Sequence, residues 1–169
     1  MIDRGSSVLD LGCGAGIPTT AELAERFVVT GIDASARQIE AARRNVPKAN
    51  FIHGDFATAV FPSESFDAVI ALYSISHVPR DEHAELFGEI ASWLRIGGLF
   101  LATLGARDSP DWSGEWLGSQ MFFSSFDADR NRQLVTEAGF DLLRAEVIVT
   151  VEPEGPTPFL WILARRNTK

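Results

Sequence analysis

The chain has 169 residues, a net charge of -8 and an apolar fraction of 46%, values that fit one globular domain over residues 1–169 with a substantial core. The acidic balance, and the absence of any Lys/Arg run longer than a pair, leave no basic surface for a nucleic-acid partner. No stretch is long and apolar enough to span a bilayer and Met1 to Gly5 lacks a secretory pattern, so a cytoplasmic protein with no membrane partner is expected.

Ser7 to Leu11 is a short apolar run ending in glycines, and Ile17 to Phe27 carries apolar residues at helical spacing. Strand, turn and helix are expected there. The alternation repeats with a strand over 27–32, a helix over 35–45, a strand over 51–53, a strand over 66–73 and a helix over 81–94. A fifth strand follows Gly97 and Gly98, over 99–104. Strands alternating with helices predict an α/β fold, a doubly wound, mostly parallel sheet with helices on both faces.

Past Leu104 the rhythm breaks. Residues 105–126 are rich in Gly, Ser, Asp and aromatic side chains, and this segment is read as a long substrate loop. Trp112, Trp116, Phe122 and Phe123 are its candidate wall residues, while Asp108, Asp111 and Glu115 are read as solvated. A helix over 127–138 and two strand-like runs, 142–151 and 159–164, complete the chain, the last two joined by a Pro-rich connection over 152–158. Two consecutive strands without a helix predict an antiparallel hairpin at the sheet edge.

In open α/β sheets ligands bind at the carboxyl ends of the strands. The loop after the first strand is Gly12-Cys13-Gly14-Ala15-Gly16, where glycines permit a sharp turn and close ligand approach beside a helix N-terminus. Asp10 precedes it inside the strand, and Asp33 ends the second strand, the position that receives ribose hydroxyls in nucleotide-binding folds. The loop departs from the Gly-x-Gly-x-x-Gly dinucleotide fingerprint in its third glycine, which weakens an NAD reading. Cys13 is the single cysteine and no base neighbours it in sequence, so it is read as a space-filler. The three histidines, His53, His77 and His83, lack metal-ligand spacing, so no metal is expected.

Taken together these segments resemble the class I, Rossmann-like S-adenosylmethionine (SAM) dependent methyltransferases of small-molecule type. Asp10 to Gly16 resembles their first motif, 31–35 their ribose segment, 53–56 the loop that meets adenine, 66–78 the segment reaching methionine and substrate, and 94–99 their turn into the fifth strand. The resemblance implies a seven-stranded sheet of order 3-2-1-4-5-7-6 with the last strand antiparallel. It implies SAM as cofactor and S-adenosylhomocysteine (SAH) as product. Asp10, Gly12, Cys13, Gly14 and Gly16 would surround the methionine part, Asp33 would take the ribose hydroxyls with Gln38 nearby, and Asp55 after Gly54 would meet the adenine amino group. Ile32, Ala34 and Phe56 would flank the ring, and Leu72 would lie along the cofactor.

The implied reaction is methyl transfer to an O or N atom of a small-molecule acceptor. His77, then Tyr73, are the candidate general bases. His77 also reads as a local hydrogen-bonding group where the chain turns, and His53 and His83 as structural or solvated residues. Members of the family carry some tens of residues before the first strand, which here begins near Ser6. An N-terminal segment or a second copy is therefore expected to complete the site, with weak SAM binding and turnover by the chain alone. A non-catalytic SAM-binding module and a nucleotide-dependent oxidoreductase stand as the other readings.

Overall fold

The computed structural model describes residues 2–116, 118–152 and 155–168. In chain order the elements are β1 (Ser7–Leu11), α1 (Thr19–Ala24), β2 (Val28–Asp33), α2 (Ala36–Asn45), β3 (Asn50–His53), β4 (Phe66–Ala71), α3 (His83–Trp93), β5 (Leu94–Gly105), β6 (Ser109–Trp116), β7 (Ser119–Ser125), α4 (Ala128–Glu137), β8 (Phe140–Glu152) and β9 (Gly155–Arg166). The main sheet has seven strands in the order β3-β2-β1-β4-β5-β9-β8. β3 to β5 are mutually parallel, β9 runs antiparallel to β5, and β8 pairs antiparallel with β9. This is the expected topology, its final pair renumbered by a hairpin inserted before it.

The central strands are buried on both faces, which is why they read as nearly continuous apolar runs. Along β1 the side chains alternate. Leu9 and Leu11 enter the larger core with α3 and α4 residues such as Phe87, Ile90 and Leu134, whereas Val8 joins Val29, Ala68 and Ile70 against Leu23 and Ala24 of α1. Asp10 shares Val8's face, so its carboxylate turns toward α1 rather than into the larger core.

Two helices start on side-chain caps visible in the sequence: Ser35 Oγ accepts from Gln38 N–H and Asp127 Oδ1 from Arg130 N–H. α1 is shorter than the apolar spacing over 17–27 predicts. Ile17 is exposed, and with no apolar partner it does not extend the buried stripe.

Residues 105–126 differ most from expectation. In place of a loop, β6 and β7 form an antiparallel ladder with Trp112 opposite Phe123 and Trp116 opposite Ser119. The Ser, Gly and Asp residues that read as loop chemistry occupy a solvent-facing two-stranded ribbon, while Trp112, Trp116 and Phe123 share one of its faces. The expected connection over 152–158 is likewise mostly strand, because β8 pairs with β9 as far as Glu152 opposite Gly155. Pro156 and Pro158 lie in the part of β9 that pairs with β8 alone, beyond Phe159 opposite Gly105. Two residues apart, they fall on one edge of the strand, where missing N–H groups break no ladder to β5.

His83 is not on a solvated face. It is 2% exposed, with Nε2 donating to the Val78 carbonyl at 3.0 Å and its ring packed beside Phe87 and Phe126. Burial holds its pKa below the ordinary 6.5, against weaker opposing contributions from backbone hydrogen bonds and nearby acids. No helix among the described residues is long and apolar enough to cross a membrane.

Candidate active site

The glycine loop turns at the carboxyl end of β1. Gly12 has φ of +74°, and a Cβ built on it would lie 2.4 Å from Ser74 Cβ. Only glycine fits both the conformation and the space. The N–H groups of Gly12 and Cys13 donate to the Ile32 carbonyl at 2.8 and 3.1 Å, which hangs the loop on the end of β2. Gly14 N–H donates to Asp33 Oδ2 at 2.9 Å, and Gly16 N–H to the Cys13 carbonyl. The loop amides therefore mainly hold the loop's own shape. Space opens in front of Gly14, where a Cβ would meet no atom within 4 Å.

Asp33 is half-buried at the end of β2. Its Oδ1 accepts from Ser35 N–H at 2.9 Å while Oδ2 holds Gly14. Each oxygen keeps acceptor capacity, and the carboxylate is fixed by two backbone donors rather than by a cation. Asp10 is placed differently. It is 4% exposed and Oδ2 takes the Thr20 hydroxyl at 2.6 Å, latching β1 to α1. Burial raises its pKa, the Thr20 bond opposes this, and the Asp33 charge raises it further.

Cys13 packs against the close approach of Gly31, where a Cβ would meet Sγ at 2.8 Å. Burial, then the charges of Asp10 and Asp33, push its thiol up to about 12. It is a thiol at neutral pH and a packing residue.

The adenine-side candidates are divided by the structure. Ala34 and Gln38 are exposed, Gly54 is half-buried, and Asp55 is exposed with Oδ1 accepting from Ala57 N–H. Ile32 and Phe56 are 1% and 8% exposed and belong to the core. Their apolar character serves the core packing. His53, exposed at the end of β3, has Nε2 at 3.0 Å from the Ala34 carbonyl and is structural.

The segment after β4 links the loop to a second space. Leu72 is half-buried and Tyr73 has φ of +57°, a left-handed conformation that is unfavourable for a bulky residue. Thr103 Oγ1 accepts the Tyr73 N–H, and the phenol ring packs edge-on against Phe159 and Trp161, with centroids at 5.0 and 6.0 Å. His77 closes a short turn of 3-10 helix, Ile75–His77. Its Nδ1 lies 2.9 Å from the Phe122 carbonyl. A carbonyl only accepts, so Nδ1 carries a proton, and in the neutral ring Nε2 has the lone pair.

A cavity of about 730 Å³ opens here, walled by Tyr73, His77, Trp112, Trp116, Phe123, Pro158 and Phe159, with Arg107 and several Ser and Thr hydroxyls. Trp112, Trp116 and Phe123 enter it because they share one face of the β6–β7 ribbon, and Phe123 packs against both indoles. Phe122 does not line it. It alternates to the other face, and only its backbone carbonyl meets the site, through His77. The ribbon is tied to the segment after β4 by Arg80, whose N–H donates to Ser124 Oγ while its guanidinium pairs with Asp108 at 2.7 Å. Ser124 in turn donates to Asp111 at 2.6 Å, so Asp108 and Asp111 are partnered rather than merely solvated.

Sequence reading missed Arg107, Pro158 and Phe159 as cavity residues. Pro158 closed what read as a connection and Phe159 opened the strand expected over 159–164, and the signal for both was the alternation running through β9.

Residues 8–98, more than half of the chain, match the family model described as a methyltransferase domain. A sterol 24-C-methyltransferase of Gibberella zeae is 29% identical over an alignment of 180 residues, covering 96% of this chain and 46% of the relative. An O-methyltransferase of Pyrenophora dematioidea is 36% identical over 151 residues, covering 82% of this chain and 55% of the relative. The chain thus spans about half the length of these curated relatives.

Among solved structures, a SAM-dependent methyltransferase of Methanosarcina mazei superposes with a TM-score of 0.87 at 17% identity, over 99% of this chain and 95% of that one. The 1,6-didemethyltoxoflavin-N1-methyltransferase of Burkholderia thailandensis, solved with 1,6-didemethyltoxoflavin and SAH, gives 0.76 at 20% identity, over 97% and 72%. At these identities the likeness is one of fold. With the family match over 8–98, the chain belongs to the methyltransferase-domain family, with the class I, Rossmann-like fold of SAM-dependent methyltransferases.

Proposed function

We propose that the chain, acting as one domain, binds SAM along the carboxyl ends of β1 to β3 and directs methyl transfer to an O or N atom of a small molecule seated in the aromatic cavity. The observation that carries this reading is the contact between Gly12 and Ser74. It sets the glycine loop against the segment whose flanking residues, Tyr73 before and His77 after, wall the cavity.

The residues present fit the cofactor. Asp33 offers a fixed carboxylate to a ribose diol, Asp55 offers an acceptor to an amino group, and the space before Gly14 is open. The cofactor supplies a methyl group already activated by a sulfonium. The chain's residues then have two tasks: to hold the acceptor atom about 3–3.5 Å from that methyl carbon, and to exclude water. Tyr73, Trp112 and Phe123 give the acceptor a planar apolar seat, and aromatic faces there also suit a neighbouring cation. His77 Nε2 takes the proton that a hydroxyl or ammonium acceptor must lose.

The test is His77→Ala. The expected result is a fall in kcat of about 100-fold, with SAH affinity unchanged and partial recovery on adding imidazole. A His77→Ala protein that keeps its full rate removes the base and favours an acceptor atom, such as carbon, that needs none at this step.

A further inference from the structure

We infer that the acceptor is an aromatic acid whose carboxylate is held by Arg107 at the rim of the cavity; this rests on the methyl-transfer reading above. Among the described lining residues, Arg107 is the only fixed charge, in a chain whose net charge is -8. An acidic protein repels anions unless a local cation offsets its field, so a cation lining an aromatic space gives that space a specificity for anions.

The neighbouring acids do not use it. Asp108 pairs with Arg80 at 2.7 Å, and Asp111 accepts from Ser124 at 2.6 Å. Glu115 pairs across the ribbon with Gln120, on the face opposite Trp112 and Trp116. Arg107 makes no hydrogen bond or ion pair among the described residues, and the chain near it is anchored at Gly105 and at Asp108. Asn131 Nδ2 donates to the Gly105 carbonyl at 2.9 Å, and Asp108 is fixed by Arg80. A planar guanidinium so placed is the group that binds carboxylates bidentately. Such an acid would lay its ring against Trp112 and Phe123 and bring its hydroxyl or amine toward His77.

The same chemistry has a second source, the carboxylate on the methionine part of the cofactor. Topology favours the acceptor. Arg107 follows β5, two places from β1 in the sheet, about 10 Å at roughly 4.8 Å per strand, and it opens on the cavity rather than on the glycine loop.

The experiment measures binding of 4-hydroxycinnamate and of its methyl ester to SAH-saturated protein by tryptophan fluorescence. It compares the wild type with Arg107→Gln and records SAH affinity and Tm for both. The expected result is about tenfold tighter binding of the acid by the wild type, and no preference in Arg107→Gln, with SAH affinity and Tm unchanged. Equal binding of acid and ester by the wild type overturns the inference, as does a preference that survives in Arg107→Gln or a failure of both probes to bind. Loss of SAH affinity in Arg107→Gln assigns the residue to the cofactor and also overturns it. Failure of the wild type to bind SAH at all is visible before any probe is added, and it removes the underlying reading together with this one.

Discussion

Gly12 and Ser74 stand so close that a Cβ on Gly12 would overlap that of Ser74, at 2.4 Å. The contact joins the turn after β1 to the turn after β4, the two segments that any ligand spanning loop and cavity must touch. Gly12→Ala therefore meets both an unfavourable φ and a clash. It is expected to destabilise the fold by about 2–4 kcal/mol and to abolish SAH binding. Ser74→Gly, which removes the opposing Cβ, should restore part of the stability in the double variant. Denaturant melts of the four proteins measure the coupling, and strictly additive effects would show that the contact is not what excludes a side chain at Gly12.

The face of the β6–β7 ribbon gives a second prediction. Phe123→Ala should weaken acceptor binding about tenfold or more, since it removes an aromatic wall packed between Trp112 and Trp116. Phe122→Ala should leave acceptor affinity nearly unchanged, because Phe122 meets the site only through its carbonyl. Acceptor titrations of the two variants check this. The opposite ranking would place the ribbon in the other register.

This pair of residues also marks the limit of what the sequence conveyed. The alternating strands and helices, the acidic residues ending β1 and β2, and the glycines between them were legible because a parallel sheet imposes those patterns locally. The β6–β7 ribbon was not. Its polar outer face carries the residues of a loop, and with no second pattern of helix or core to set a frame, Phe122 and Phe123 read alike. Ile32 and Phe56 read as ring neighbours and are core residues in the structure: apolar residues beside a binding loop serve the core and a ligand equally well in sequence, and only depth separates them. His83 read as structural or solvated, with the polar Asp81, Glu82 and Glu85 around it in sequence, and it begins α3 on the face that turns inward.

His83 has a measurable consequence for pH. In the unfolded chain it takes up a proton as pH falls through about 6.5, whereas in the fold burial delays that uptake to lower pH. Between the two values the unfolded chain holds more protons, so stability falls with falling pH, at most by about 1.4 kcal/mol per unit. Asp10, raised by burial above its ordinary 3.8, acts with the opposite sign, gaining stability as pH falls through its folded value. His83→Gln, which can still donate to Val78, should flatten the loss of stability below pH 6.5. Urea melts at a series of pH values test it, and an unchanged slope would mean that His83 titrates normally in the fold.

Cofactor recognition at Asp33 is tested by calorimetric titration of the chain with SAH and, separately, with NAD, for the wild type and for Asp33→Ala. SAH is expected to bind at one site and NAD not to bind, and Asp33→Ala to lower SAH affinity by about 10- to 100-fold through loss of charge-assisted hydrogen bonds to ribose. Binding of NAD without SAH, or SAH binding indifferent to Asp33, would contradict it.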